Sequence, residues 1–136
     1  MKRETKIQRS RRQAFEKKVF VSVLRAAGNT VVEEYRFDKK RRWRFDIAIP
    51  RCEIVLYQSA ATTVGSVQPI AIEIEGLFGR HQTIGGFTKD LSKYSEAFAQ
   101  GWNVLRVSWA MIADGTALDV LARAGVRVTK PPKGGS

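Results

Sequence analysis

The stretch that decides the fold is Ile70-Ala71-Ile72-Glu73-Ile74-Glu75-Gly76, an apolar, β-branched run that carries two glutamates. The run is too short for a typical helix and is bounded by Pro69 and Gly76, so we expect a central β-strand. Successive side chains of a strand point to opposite faces, which places Glu73 and Glu75 on the same face. A carboxylate within an apolar strand is costly unless it is paired, hydrogen-bonded or metal-bound. Both glutamates are therefore candidate functional residues.

A predicted β-hairpin lies upstream, with strands over residues 31–37 and 42–49 and a tight turn at residues 38–41. The apolar residues of its second strand alternate with polar or small ones, so we expect one row of them in the core. That row is Trp43, Phe45, Ile47 and Ile49. Asp46 belongs to the opposite row. Pairing of this strand with residues 70–75 would gather three like charges within several ångströms, and a cation would relieve their repulsion.

The remaining elements follow from helical periodicity and turn residues. Apolar residues at helical spacing predict a first helix over residues 11–27, marked by Phe15, Val19, Val23 and Ala27. A second helix follows the glycine-rich loop at residues 76–86 and ends at Gly101, with an expected buried stripe of Phe87, Leu91, Tyr94 and Phe98. Residues 103–109 are a predicted strand, residues 116–124 a short helix, and residues 51–69 an irregular connection. The expected fold is α/β, with a mixed central β-sheet flanked by helices.

Length and composition favour one domain and a polyanionic partner. The 136 residues suit a domain over residues 13–129, with a basic flexible arm at residues 1–12 and a disordered tail at residues 130–136. The net charge is +11, from 24 Lys and Arg against 13 Asp and Glu, which favours nucleic acid. The basic N-terminus leaves an anionic membrane surface as a competing partner.

The single cysteine and the hydropathy pattern exclude other classes. Cys52 alone cannot form an internal disulfide or a cysteine-based zinc site. No apolar run reaches the roughly 18 residues that a membrane span needs, so we expect a soluble, cytoplasmic protein.

Hard carboxylate ligands favour Mg²⁺ or Mn²⁺ over zinc. As the alternative to a metal site, Glu73 and Glu75 would face solvent on an edge strand or pair with arginines such as Arg44 and Arg106.

Three segments taken in order resemble a known family of nucleases. They are Arg44-Phe45-Asp46-Ile47-Ala48, Ile72-Glu73-Ile74-Glu75-Gly76 and Gly79-Arg80-His81. This order resembles the PD-(D/E)xK restriction-endonuclease-like superfamily, specifically phage and bacterial members related to very short patch repair endonucleases. The helix motif Asp90-x-x-Lys93-Tyr94 and the strand GWNVLRV at residues 101–107 also match, so the likeness spans about residues 15–109. Holliday junction resolvases share the same core.

The resemblance implies a restriction-endonuclease-like core and a metal-dependent DNA endonuclease. Asp46, Glu73 and the backbone carbonyl of Ile74 would hold Mg²⁺ or Mn²⁺, whose bound water attacks the phosphodiester. Glu75 would be a further ligand or would position the water. Glu16 matches the helix-borne acid that some members use for a second metal. Its alternative is an ordinary solvated helix charge, and Glu34 is a rival for the role.

Two features depart from the family pattern. Glu75 occupies the place of the motif lysine, so another cation must stabilise the developing phosphate charge; the candidates are Lys89, Lys93, Arg80 and His81. His81 could also act as general acid or base, or bind phosphate. The connection at residues 51–69 is longer than is usual in the family, which suggests a lid, a partner contact or a DNA-contacting loop.

The expected substrate is branched or duplex DNA, with a four-way (Holliday) junction preferred, in phage or bacterial recombination or repair. The cations expected to contact DNA are Lys39, Lys40, Arg41, Arg42, Arg44 and Arg80. For Trp43, packing in the core is favoured over stacking on a base. A homodimer would be needed to cut two strands symmetrically. The alternative function is a catalytically inactive DNA-binding module that keeps the nuclease fold.

Overall fold

The four strands of the protein form one mixed sheet in the order β1-β2-β3-β4. A computed structural model of the chain describes residues 2–58, 63–76 and 84–130. Its elements are α1 (Lys6–Ala26), β1 (Val32–Arg36), β2 (Arg44–Gln58), β3 (Thr63–Glu75), α2 (Ile84–Ala99), β4 (Asn103–Ser108), α3 (Trp109–Ala113) and α4 (Thr116–Arg123). The first three strands are antiparallel neighbours, and β4 runs parallel to β3. The predicted α/β fold with a mixed, helix-flanked sheet is thereby confirmed.

Helices cover both faces of the sheet. The larger core cluster joins α1, α3 and α4 to one face through apolar side chains such as Leu24, Ile72 and Leu121. The smaller cluster joins α2 to the other face through Ala97 and an aromatic group in which Phe45 stacks on Phe37 at 4.2 Å between ring centroids. The predicted single row is therefore wrong: Ile47 and Ile49 belong to the first cluster, Trp43 and Phe45 to the second.

Residues 51–69 were expected to be irregular, and the structure corrects this. Strand β2 continues past Pro50 to Gln58, and β3 begins at Thr63, so the described part of this segment is a long antiparallel hairpin. The strand survives the proline because the ladder register shifts between Ile49 and Cys52, and a bulge is one of the places where a strand tolerates proline. The Val55 amide donates to the Gly125 carbonyl at 2.9 Å, which ties the hairpin to the chain after α4.

Helix α1 begins at Lys6, five residues before the predicted start, within the segment that we expected to be a flexible arm. A capping box explains the earlier start: the Thr5 side chain accepts from the Gln8 amide, and the Gln8 side chain accepts from the Thr5 amide. Of the predicted tail, all but Lys130 lies outside the described residues. Among the helices that the structure describes, none is both long and apolar enough to cross a membrane.

Helix α2 is rotated relative to the sequence prediction. It begins at Ile84, inside the predicted loop. The predicted buried stripe is wrong at Leu91 and Phe98, which are 52% and 83% exposed, and is confirmed at Tyr94, which is half-buried; the Phe87 side chain lies outside the described residues. Lys93 and Ala97 face inward beside Tyr94. The sheet beneath carries glutamates, and leaving buried carboxylates unpaired costs more than exposing two apolar side chains.

Candidate active site

The candidate site lies where β2 and β3 separate. The paired register of the two strands ends at Ile47 and Ile72, one residue before Asp46 and Glu73. Beyond that point the Asp46 side chain takes over: its Oδ2 accepts a hydrogen bond from the Ile74 amide at 2.8 Å. Asp46 thus satisfies a backbone donor of β3 and is held beside Glu73.

Glu73 is a buried carboxylate with a cation against it. Glu73 is 6% exposed, and the Lys93 Nζ donates a hydrogen bond to the Glu73 Oε1 at 2.6 Å. Burial raises the pKa of Glu73 to about 7; the hydrogen bond from Lys93 opposes this rise, and the nearby Asp46 charge adds to it. Near neutral pH, this carboxyl group is therefore present in both its protonated and its ionised form.

Glu75 lies on the same face, as predicted, but has different partners. The Arg106 Nε donates to its Oε1 at 2.7 Å, and the Tyr94 hydroxyl donates to the same oxygen at 3.5 Å. The Arg106 guanidinium also lies 4.8 Å from the centre of the Tyr94 ring. Burial, followed by the charges of Glu73 and Glu75, raises the pKa of Tyr94, which keeps its hydroxyl protonated. The alternative pairing with an arginine is thus confirmed for Glu75 and Arg106.

Of the four candidate cations, Lys93 is the one whose side chain the structure describes, and it lies against the carboxylates. Lys93 approaches from α2, with its side chain 17% exposed and its Nζ 5.8 Å from the centre of the Phe45 ring. Arg80 and His81 lie outside the described residues, and of Lys89 only the helical backbone is described. Lys93 therefore carries a fixed positive charge beside Glu73.

The predicted helix-borne acids lie elsewhere. Glu16 accepts from the Arg12 guanidinium at 2.9 Å and lines a groove beside α3 and α4. Glu34 accepts from Lys17 at 3.2 Å. In the part of the chain that the structure describes, neither acid joins Asp46 and Glu73 in a cluster of three that could hold a metal ion. The structure thus does not assemble Glu16 with the predicted metal ligands.

Asp46 and Glu73 have the oxygen-donor chemistry that Mg²⁺ prefers, although the cluster is smaller than the one expected. Within residues 2–58, 63–76 and 84–130, no set of three or more acidic, histidine or cysteine side chains is arranged to hold a metal ion. Mg²⁺ commonly takes only one or two carboxylates and completes its shell with water and phosphate. The two carboxylates, with the Ile74 carbonyl as a further oxygen, supply that donor chemistry. Glu75 would join them only by leaving Arg106.

Five of the six cations predicted to contact DNA lie at the β1–β2 turn, and all five are exposed: Lys39, Lys40, Arg41, Arg42 and Arg44. The sixth, Arg80, lies outside the described residues. The Asp38 Oδ1 organises the turn by accepting from the amides of Lys40 and Arg41 at 2.8 and 3.2 Å. Trp43 is half-buried against the smaller core cluster, as expected, and Arg41 stacks over its ring at 4.9 Å. The turn therefore presents a compact basic surface.

A cleft of about 600 Å³ lies between the first half of α1 and the carboxyl ends of β3 and β4. The sequence did not predict it. Its walls include Arg9, Arg12, Glu75 and Trp109. The two arginines were assigned to the flexible arm, and Trp109 was placed at the end of a strand. The available signal was the parallel pairing of β3 and β4, since ligands often bind beyond the carboxyl ends of such strands.

Comparison with known proteins assigns no family. No protein-family model, no curated protein and no solved structure matches the chain. The resemblance to restriction-endonuclease-like nucleases therefore stays a prediction from motif order, and the geometry around Asp46 and Glu73 is the basis for a functional proposal.

Proposed function

We propose that the protein is a metal-dependent DNA endonuclease with a restriction-endonuclease-like core, in which Lys93 takes the role of the missing motif lysine. The observation that carries the proposal is the grouping of Asp46, Glu73 and Lys93 at the point where β2 and β3 separate. A buried and a half-buried carboxylate beside a lysine, on a chain with a net charge of +11, suit the cleavage of a polyanion.

Each residue of the group has a distinct task in this proposal. Asp46 and Glu73 would hold Mg²⁺ or Mn²⁺, which when bound supplies an activated water and neutralises the scissile phosphate. The Ile74 amide orients Asp46 through its 2.8 Å hydrogen bond. Lys93 keeps a larger fraction of Glu73 ionised and places a positive charge where negative charge develops on the phosphate. Tyr94 and Arg106 position Glu75 at the edge of the group.

The basic turn favours DNA as the polyanion. Five exposed cations between residues 39 and 44 can contact the phosphate backbone, with no arrangement that specifies a base sequence. We propose branched DNA, such as a four-way junction, as the substrate, in the recombination or repair of a bacterium or its phage, within the cytoplasm. Symmetric cleavage of two strands would require two copies of the chain.

One observation favours a second candidate, a catalytically inactive DNA-binding module. Lys93 already pairs with Glu73 and Arg106 with Glu75, so cations of the chain itself compensate two of the three carboxylates. Such a module would use the basic turn to bind DNA and would leave it intact.

A cleavage assay separates the two candidates. The purified chain is incubated with plasmid, single-stranded, flap and four-way junction DNA in Mg²⁺, Mn²⁺ or EDTA. The nuclease should cut in either metal and not in EDTA, and Asp46→Asn and Glu73→Gln should each lower the rate by about 100-fold or more. Glu53→Gln, at a side chain that is 73% exposed, is the matched control. Binding without cleavage, with the two site variants binding as well as the natural chain, would instead identify the module.

A further inference from the structure

The cleft beside the candidate active site has the dimensions of a binding site for one small ligand. Its volume of about 600 Å³ falls within the range of known ligand pockets. The described residues around it come from the first half of α1, the end of β3 with Gly76 after it, the end of β4 and the start of α3. A cleft of this size accommodates one nucleotide.

One wall of the cleft is strongly basic. Residues 2–12 contain six Lys and Arg against one Glu, a net charge of +5. Arg9 and Arg12 line the cleft and both pair with Glu4, with the shorter distance, 2.7 Å, between the Arg12 Nε and the Glu4 Oε1. Their side chains are still 53% and 47% exposed. Glu4 orients both arginines and Glu16 also holds Arg12 at 2.9 Å, while their exposed portions leave room for a phosphate to approach.

The lining of the cleft also includes an aromatic side chain. Trp109 follows β4 directly and lines the cleft, half-buried, beside Ser108 and Ala110. Basic side chains combined with an exposed aromatic ring are what proteins use to bind unpaired nucleic acid bases, since every base has a face that can stack. A paired base inside a duplex would not reach the ring.

The cleft connects to the acidic group through Glu75. This residue lines the cleft and is hydrogen-bonded to Arg106 and Tyr94, and Lys93 lies next to Tyr94 in α2 with its Nζ 5.6 Å from the Tyr94 ring centre. We propose that the cleft holds one unpaired nucleotide of the DNA strand, with its base on Trp109 and a phosphate at Arg9 and Arg12. This inference rests on the proposed function and makes its substrate DNA that has an unpaired nucleotide beside the bond to be cut.

The test measures binding in EDTA, so it does not depend on cleavage. Two duplexes differ only in one extra, unpaired 2-aminopurine, and their affinities are compared by fluorescence anisotropy. The natural chain should bind the bulged duplex at least about five-fold more tightly, the lower end of the effect of one stacked base. Trp109→Ala should reduce the preference to less than about two-fold, and Trp109→Phe should keep most of it. Phe98→Ala removes an aromatic that is 83% exposed on α2 and should change nothing.

A second variant covers the case in which Trp109→Ala does not fold. Arg9→Glu changes a side chain that is 53% exposed, and it should weaken binding of the bulged duplex about ten-fold. Arg123→Glu, at a side chain 71% exposed on α4, is the matched control. Equal affinity of the natural chain for both duplexes would overturn the proposal, as would a preference that survives Arg9→Glu.

Two further outcomes distinguish this inference from the binding of a free nucleotide and from the proposed nuclease activity. A free deoxynucleoside monophosphate should compete only at millimolar concentration, because it lacks the strand that the basic turn holds; competition at micromolar concentration would overturn the assignment to DNA. A chain that prefers the bulge but cuts nothing would sustain this inference and remove the proposed nuclease. A chain that cuts paired duplex without preference would do the reverse.

Discussion

Replacing Glu73 with glutamine should stabilise the protein at alkaline pH while abolishing its proposed activity. The carboxyl group is 6% exposed, and its pKa is raised by burial to about 7, against an ordinary value of 4.5. A difference of that size corresponds to about 3 kcal/mol between the protonated and the ionised forms in the folded protein. Glutamine has nearly the same shape as the protonated glutamate and never ionises.

The direction of the pH effect on stability follows because the folded protein binds the Glu73 proton more tightly than the unfolded chain does. Because the folded pKa lies above the unfolded one, the stability that the protonated group contributes is complete below about pH 4.5. It is lost as the pH rises to about 7 and does not return above that. The variant keeps this contribution at every pH, so it should match the natural chain near pH 4.5 and exceed it by up to about 3 kcal/mol at pH 8.

Urea unfolding followed by tryptophan fluorescence, at several values from pH 4.5 to 8.5, measures the free energy of unfolding directly. Glu53→Gln also removes one negative charge, from a side chain that is 73% exposed, and controls for net charge. A variant that is less stable than the natural chain at pH 8, or that loses stability between pH 4.5 and 7 as steeply as the natural chain does, would refute the reasoning.

Three other changes test separate parts of the structure. Lys93→Met should lower the cleavage rate by about 100-fold or more. It should also move the acid limb of the pH–rate profile to higher pH, because the cation that lowers the Glu73 pKa is gone. Lys93→Arg should restore part of the rate. Thr5→Ala should cost about 1 kcal/mol in urea unfolding, and no loss would count against the observed helix start. Replacing Arg41 and Arg42 by glutamine should reduce the slope of log Kobs against log salt by about 2, whereas an unchanged slope would place DNA elsewhere.

Much of the fold was predictable because it depends on local patterns. The alternation in residues 70–75 predicted β3 and placed Glu73 and Glu75 on one face, and the structure confirms both. The position of Asp46 beside Glu73 also followed, since adjacent strands must bring their residues together. The errors arose where a local signal was overridden: Pro50 continues its strand through a bulge, and helix α2 exposes Phe98.

The sequence by itself determined which carboxylates share a face of the sheet, because side-chain alternation is a property of the strand alone. Only the tertiary structure decided which charges neutralise them. Lys93 is 20 residues from Glu73, and Arg106 is 31 residues from Glu75. The first pairing depends on the rotation of α2, where an unpaired buried Glu73 would be costly, and the second on the parallel docking of β4 against β3, which backbone pairing and apolar packing set.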